Sequence, residues 1–283
     1  MRKYAAFILS HGRPDAQITL KSLRKSKYAG EWYIVCDDED ETLDEYRRRY
    51  NDRVIVFSKD DVEVDMMDNY NERRAVVYAR NALFDIAKRL GLTHFIELDD
   101  DYTEFAFRIP GMGGHLIKDI NPAIEATFDL LDGTGAMVVA WGQGGEYIGG
   151  DEGGVLRAGF KRKAMNIFFF HVDSPMRFMG TINEDVNSYV HYGHRGGLIF
   201  MVTCCMITQV QTQVQKGGLT DAYKRVGTYV KSFYPVMIAP SCVRISTVGM
   251  SYYRIHHYID WEHCVPKIIS GEYKVKGYAE KAD

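Results

Sequence analysis

Thr93-His94-Phe95-Ile96-Glu97-Leu98-Asp99-Asp100-Asp101-Tyr102 sets a short apolar run directly against three consecutive carboxylates. Apart from Glu97 the run is apolar, so it reads as a buried strand that stops at the acids. Three adjacent carboxylates repel one another, and nothing in folding calls for them. Alone, such a short run also reads as an acidic strand end at a solvated turn. A divalent cation bridging to a diphosphate would relieve the repulsion. In extended backbone Asp99 and Asp101 share one side and Asp100 takes the other. Hard oxygen ligands of this kind suit Mg²⁺ or Mn²⁺, with substrate phosphates completing the shell.

Working outward, the first hundred residues alternate strand and helix. Tyr4 to Leu9 reads as a buried strand stopped by Ser10-His11-Gly12-Arg13-Pro14, with a helix over Asp15 to Lys25. Trp32 to Cys36 reads as a second strand ending in Asp37-Asp38-Glu39-Asp40, before a helix from Glu41 to Tyr50. Arg53 to Phe57 reads as a third strand, Asn69 to Leu90 as a long helix closed by Gly91, and Phe95 to Leu98 as the fourth strand. This alternation predicts an α/β fold with a mostly parallel central sheet flanked by helices. Ligands of such sheets collect at the carboxyl ends of the strands. Ser10 to Arg13, Asp37-Asp38 and Asp99 to Asp101 all fall there, so three polar clusters predict one site.

The second half is less regular. Gly111 to Gly114 and Gly142 to Gly154 contain glycine-rich stretches read as turns. Ala136 to Trp141, Asn166 to Val172 and Leu198 to Ile207 read as strands, and Ile182-Asn183-Glu184-Asp185-Val186 opens a helix. Arg157, Lys161, Arg162 and Lys163 form a basic stretch.

The chain has 283 residues, 46% hydrophobic and 26% charged, values that permit a substantial core and argue against disorder. A net charge of -3 restricts any nucleic-acid role to a local basic face. Five cysteines, odd in number and without CxxC spacing, read as reduced core residues of a cytoplasmic protein. The N-terminal apolar run is too short for a secretory signal, and no run is long enough to span a membrane.

Together these elements resemble a GT-A-type nucleotide-sugar glycosyltransferase, most strongly over residues 4–104. The strand ending at Ser10-His11-Gly12-Arg13 resembles that fold's nucleotide-binding first strand. Asp37-Asp38 sit where the family places an acid contacting uracil or ribose. Tyr78-Ala79-Arg80-Asn81-Ala82-Leu83 resembles the helix preceding the metal strand, and Phe95 to Asp101 resembles the "DxD" strand itself. Gly180 to Asp185 resembles the "ED" element, whose second acid is the catalytic base of inverting members. Within the fold, Ser-His-Gly-Arg-Pro and Asp-Asp-Glu-Asp resemble the TET/JBP-associated glycosyltransferases, a phage-rich group thought to glycosylate modified DNA bases.

The resemblance implies one GT-A domain over 1–270, its nucleotide-sugar-binding half at 1–105 and acceptor-binding half at 106–270, with a polar tail at 271–283. It implies a UDP-sugar donor, with glucose as the sugar, and a hydroxymethylated pyrimidine in DNA as acceptor. If phage-encoded, the protein works in the host cytoplasm. No membrane and no obligate protein partner are expected. Asp99 and Asp101 would hold the metal, with His256 or its neighbour His257 as a late third ligand. Ser10, His11, Gly12, Arg13, Asp37, Asp38, Arg80 and Asp100 would hold the donor. Asp185, with Glu184 as the alternative, would deprotonate the acceptor hydroxyl. Arg157, Lys161, Arg162 and Lys163 would meet DNA phosphates, with Phe160 and Phe168 as stacking groups. Rival readings are transfer to a protein or small-molecule hydroxyl, a nucleotidyltransferase, and an inactive nucleotide-sugar-binding module.

Overall fold

The computed structural model describes residues 2–64, 73, 75–147, 163–210, 230–248, 254–264 and 271–273. Among these residues the centre is a sheet of nine strands. In chain order these are β1 (Tyr4–Leu9), β2 (Glu31–Asp37), β3 (Val54–Phe57), β4 (His94–Asp99), β5 (Tyr102–Ile109), β6 (Gly113–Leu116), β7 (Val138–Gln143), β8 (Asn166–His171) and β9 (Ile199–Gln209). Their spatial order is β3-β2-β1-β4-β8-β7-β9-β5-β6. All but β5 and β8 point the same way, so the sheet is mostly parallel, as expected. A separate antiparallel pair joins β10 (Val243–Val248) to β11 (Arg254–Ile259).

Alternation along the strands sorts side chains onto two faces. Phe7, Phe95, Phe168 and Phe170 pack on one face with Leu83 and Phe84 of helix α3 (Val77–Arg89). Ile8, Ile96 and Phe169 pack on the other with Leu20 of α1 (Ile18–Lys25) and Phe128 of α4 (Asn121–Thr134). Helix α2 (Leu43–Tyr50) covers β2 through Tyr46, and α5 (Glu184–His194) adds Val186, Tyr189 and Val190 to the α3 face. Parity therefore puts Glu97 and Asp99 on the face of Phe95, under α3.

Gly91 closes α3 as expected, with φ +66 and Leu92 N–H donating to the Ala87 carbonyl. The expected helix over 69–90 is helical from Val77, and residues 65–72 and 74 lie outside the described residues. β4 ends at Asp99, and Asp100 and Asp101 form the turn into β5. The two-residue alternation expected for the acids thus stops at the first of them. The glycines at 113 and 114 lie in β6, paired with β5 as a hairpin rather than as a loop. Four of the five cysteines are buried, Cys204 is exposed, and all are free thiols. No helix among the described residues is long and apolar enough to cross a membrane.

Candidate active site

Because β3, β2, β1 and β4 are neighbours and parallel, their carboxyl ends lie side by side. A cleft of about 230 Å³ opens there, lined by Ser10, His11, Arg13, Asp37, Lys59, Arg80 and Asp99 to Asp101 among others. The loop after β1 is locked in place. Gly12 takes φ +69, the left-handed region that suits glycine, and its N–H donates to Asp40 at 2.7 Å. Tyr46 Oη accepts from the Arg13 N–H at 2.9 Å and bonds the Ser10 hydroxyl at 2.6 Å. Gln17 donates to Ser10 Oγ at 2.7 Å.

The Asp37 carboxylate is gripped on both oxygens, by His11 Nδ1 at 2.7 Å and by Lys59 Nζ at 2.8 Å. Burial opposes its ionisation, but these two bonds hold it below the usual carboxylate range. The hydrogen bond to Asp37 raises His11 above the ordinary imidazole value, against the effect of burial. Asp38 is exposed, accepts from Ser58 Oγ at 2.6 Å and does not line the cleft.

The three consecutive acids have three environments. The Asp100 side chain is 3% exposed, and it accepts from Ser10 Oγ at 2.6 Å and pairs with Arg13 at 2.9 Å. Burial lifts it to about 6 even so. Asp99 is 31% exposed, meets Arg80 at 3.4 Å and Tyr102 Oη at 3.4 Å, and gives its carbonyl to Thr19 Oγ1 at 2.6 Å. Asp101 has no ion-pair partner among the described residues. Burial, then the charges of Asp99 and Asp100, push it up to about 7. Two carboxylates facing one cleft, one of them unpaired and lifted by its neighbours, form a donor set that a hard divalent cation could use, leaving positions for water and phosphate oxygens. Among the described residues no group of three or more His, Cys, Asp and Glu side chains converges as a cage, so His256 is not brought to Asp99 and Asp101.

Arg80 rises from α3 to meet the acids of β4. Its guanidinium is buried against the rings of Phe168 and Phe178, 4.9 and 5.3 Å from their centroids. It pairs with Glu97, with Asp99, and through Nε with Glu184 at 3.1 Å. Glu97 is fully buried, one of its oxygens has no hydrogen-bond partner, and burial pushes it up to about 8. Arg80 is thus occupied by protein carboxylates while it lines the cleft.

Through Glu184, Arg80 reaches a second pocket of about 500 Å³, which also shares Val76 with the first. Glu184, Asp185 and Tyr189 of α5 line it, with His256, His257, Lys163, Lys231 and Trp261. Glu184 is buried, lifted to about 7 by that burial, and held by Arg80. Asp185 is only partly buried, also raised by burial, and its carboxylate accepts from the Val186 N–H at 2.7 Å. The turn before α5 is tightly set. Gly180 has φ +82, and a Cβ there would lie 2.6 Å from the Tyr234 ring. Asn183 takes φ +56 and donates to the Lys231 carbonyl at 2.7 Å.

Of the expected basic stretch, Arg157, Lys161 and Arg162 lie outside the described residues, as does Phe160. Lys163 pairs with Glu146 and lines the second pocket. Phe168 is fully buried in the core and cannot stack on a nucleic acid. Lys59, Asp40, Tyr46, Tyr102, Lys231 and Trp261 escaped the sequence reading. Lys59 had a signal, since it follows β3 at the same sheet edge as the other three clusters.

The family model described as TET-Associated Glycosyltransferase matches residues 4–218. No curated protein matches the chain. Among solved structures, glucosyl-3-phosphoglycerate synthase from Mycobacterium tuberculosis in complex with phosphoglyceric acid is 13% identical, with a TM-score of 0.48 over 91% of this chain and 87% of that one. Mannosyl-3-phosphoglycerate synthase from Rubrobacter xylanophilus is 10% identical, with a TM-score of 0.43 over 91% of this chain and 87% of that one.

Proposed function

The chain belongs to the TET-associated glycosyltransferase family, and from that premise we propose that it transfers a sugar, glucose in the first instance, from a UDP-sugar to a hydroxymethylated pyrimidine in DNA. One observation carries the reading. Two pockets flank a single buried guanidinium, with Asp99 and Asp101 at the first and Asp185 at the second. The first is the donor side. Asp99 and Asp101 would hold Mn²⁺ or Mg²⁺, which when bound stabilises the charge that grows on the departing diphosphate. Ser10, His11 and Arg13 form the wall against which the nucleotide rests, and Asp100 fixes Ser10 and Arg13 from behind.

The second pocket is the acceptor side. There Asp185 is placed to take the proton from the attacking hydroxyl. Glu184 is the weaker choice for that role, because Arg80 engages it and it is more buried. A base in duplex DNA would be flipped out to reach this pocket.

The reading is tested by incubating the protein with hydroxymethylated DNA and a panel of nucleotide sugars, followed by nucleoside mass spectrometry. Transfer that disappears in EDTA and in Asp99→Asn and Asp101→Asn is the expected result. Full activity in EDTA overturns the metal assignment. Sugar found on protein or small-molecule hydroxyls, with none on DNA, overturns the acceptor.

A further inference from the structure

Between Asp15 and Glu31 the chain carries Lys21, Arg24, Lys25 and Lys27 and no acid, in a protein whose net charge is -3. Lys25 and Lys27 line a groove of about 370 Å³ together with Lys118, which follows β6. Its apolar walls are Phe105, Leu116 and Ile117, and among the described residues Glu104 is the one carboxylate that lines it. The three lysines are exposed, and among the described residues none of their ammonium groups has an ion-pair or hydrogen-bond partner. The groove adjoins the acids of the first cleft. Ser22 Oγ donates to the Tyr102 and Thr103 carbonyls at 2.9 and 2.8 Å, and Thr103 stands two residues after Asp101.

The end of α1 carries the second observation. The Tyr28 N–H donates to the Leu23 carbonyl at 3.0 Å and the Lys27 N–H to the Arg24 carbonyl at 3.1 Å, the pattern that closes a helix by placing one residue in the left-handed region. That residue is Lys27, with φ +55. Glycine is the usual occupant, and α3 and α4 end with it, at Gly91 with φ +66 and Gly135 with φ +64. A Cβ makes the region unfavourable, so helix termination alone would select glycine at 27. The helix dipole favours cations in the last turn and accounts for Arg24 and Lys25. It does not account for a lysine in a glycine position, nor for Lys118 arriving from another element. The turn itself is fixed, since Asn121 Nδ2 donates to the Lys27 carbonyl at 2.8 Å and the Ile120 N–H to the Ser26 carbonyl at 2.9 Å.

We infer that this groove grips the backbone of the DNA, with Lys25, Lys27 and Lys118 on its phosphates and the apolar walls against the sugar between them. The inference rests on the DNA acceptor proposed above and adds the surface that holds it. A merely solvated face would explain three unpaired lysines, but it gives no reason to keep one of them in the left-handed region. A chain of phosphates does, because each fixed cation on the rim answers one of its charges.

The test is fluorescence anisotropy of the full chain on a labelled, unmodified duplex at several salt concentrations. Each phosphate contact contributes roughly 0.9 to the slope of log affinity against log salt. Replacing Lys25, Lys27 and Lys118 together by Ala should flatten that slope by roughly two to three, and replacing all three by Arg should keep it. Lys27→Gly is the decisive single variant. It should flatten the slope by roughly one, while its Tm stays equal to the wild type or rises, because glycine suits φ +55. UDP affinity should not change in any of these variants, since none of the three lysines lines the first cleft. A wild type without salt-dependent DNA binding, or a wild-type slope in the triple Ala variant or in Lys27→Gly, overturns the inference. The acceptor assignment fails separately. Sugar on hydroxymethylated DNA with an unchanged slope in the triple Ala variant refutes the groove alone, and lysine-dependent DNA binding with no sugar on DNA refutes the acceptor alone.

Discussion

Arg80→Met isolates the group on which both pockets depend. The substitution keeps an unbranched chain against Phe168 and Phe178 but removes the charge that faces Glu97, Asp99 and Glu184. Glu97 is fully buried and Glu184 nearly so, and neither can turn to water without moving a strand or a helix. Removing one partner of a buried ion pair costs about 3–5 kcal/mol, because the acids left behind must either stay charged without a partner or take up protons to become neutral. For a domain of this size each kcal/mol corresponds to roughly 2–4 °C, so Tm should fall by roughly 6–20 °C. The assay is thermal and urea unfolding followed by circular dichroism. Adding Glu97→Gln to Arg80→Met removes the most buried orphan carboxyl, and should recover about 0.5–3 kcal/mol as a coupling between touching residues. A loss below about 1 kcal/mol in the single variant, or no recovery in the double, would falsify the view that Arg80 exists to neutralise the acids between the pockets.

Two further outcomes follow from the site. Asp185→Asn should retain UDP binding and lower transfer by roughly 10²–10⁴-fold, the range of a lost general base; near wild-type transfer in that variant, with loss in Glu184→Gln, would exchange their roles. The His11–Asp37 pair should give a pH signature. His11 is raised above 6.5 in the folded state, so its stabilisation is full below 6.5 and is lost as pH rises through the raised value. The Tm gap between wild type and His11→Asn should therefore be wider at pH 6 than at pH 9, and an equal gap at both would remove His11 as a titrating partner of Asp37.

The parallel half of the fold was legible because its strands are apolar runs of a few residues that end in polar clusters, and strand ends of a parallel sheet share one edge. Ser10, Asp37 and Asp99 came together for that reason. The hairpin β5–β6 was not legible, because Gly113 and Gly114 look like turn residues and strand pairing overrides that local preference. The pair β10–β11 is short and polar and carries no clear alternation, so the placement of His256 and His257 could not be read. Contacts between elements were the other gap. Nothing in the spacing of Arg80, Glu97 and Glu184 along the chain says that they touch; it takes α3 lying over β4 and α5 docking beside it. Phe168 could have been excluded as a surface ring, since Asn166 to Val172 is hydrophobic on both alternating faces, as a strand buried on both sides must be.

The environment of the three consecutive acids turns on where β4 ends. If β4 continued through Asp101, alternation would pair Asp99 with Asp101 and send Asp100 to the opposite face. The strand instead stops at Asp99, because the chain must reverse into β5 and the turn takes the next two residues. In a turn, neighbouring side chains are no longer held to opposite faces, so all three acids can line one cleft. Repulsion among them is then divided by partner rather than by direction. Arg80 answers Asp99 and Arg13 answers Asp100, each from an element already packed against β4. Asp101 comes last in the turn, beyond the reach of either as an ion pair. Its charge is the one the protein leaves for something else to balance, and a cation carrying phosphate is of the right sign and hardness to do so.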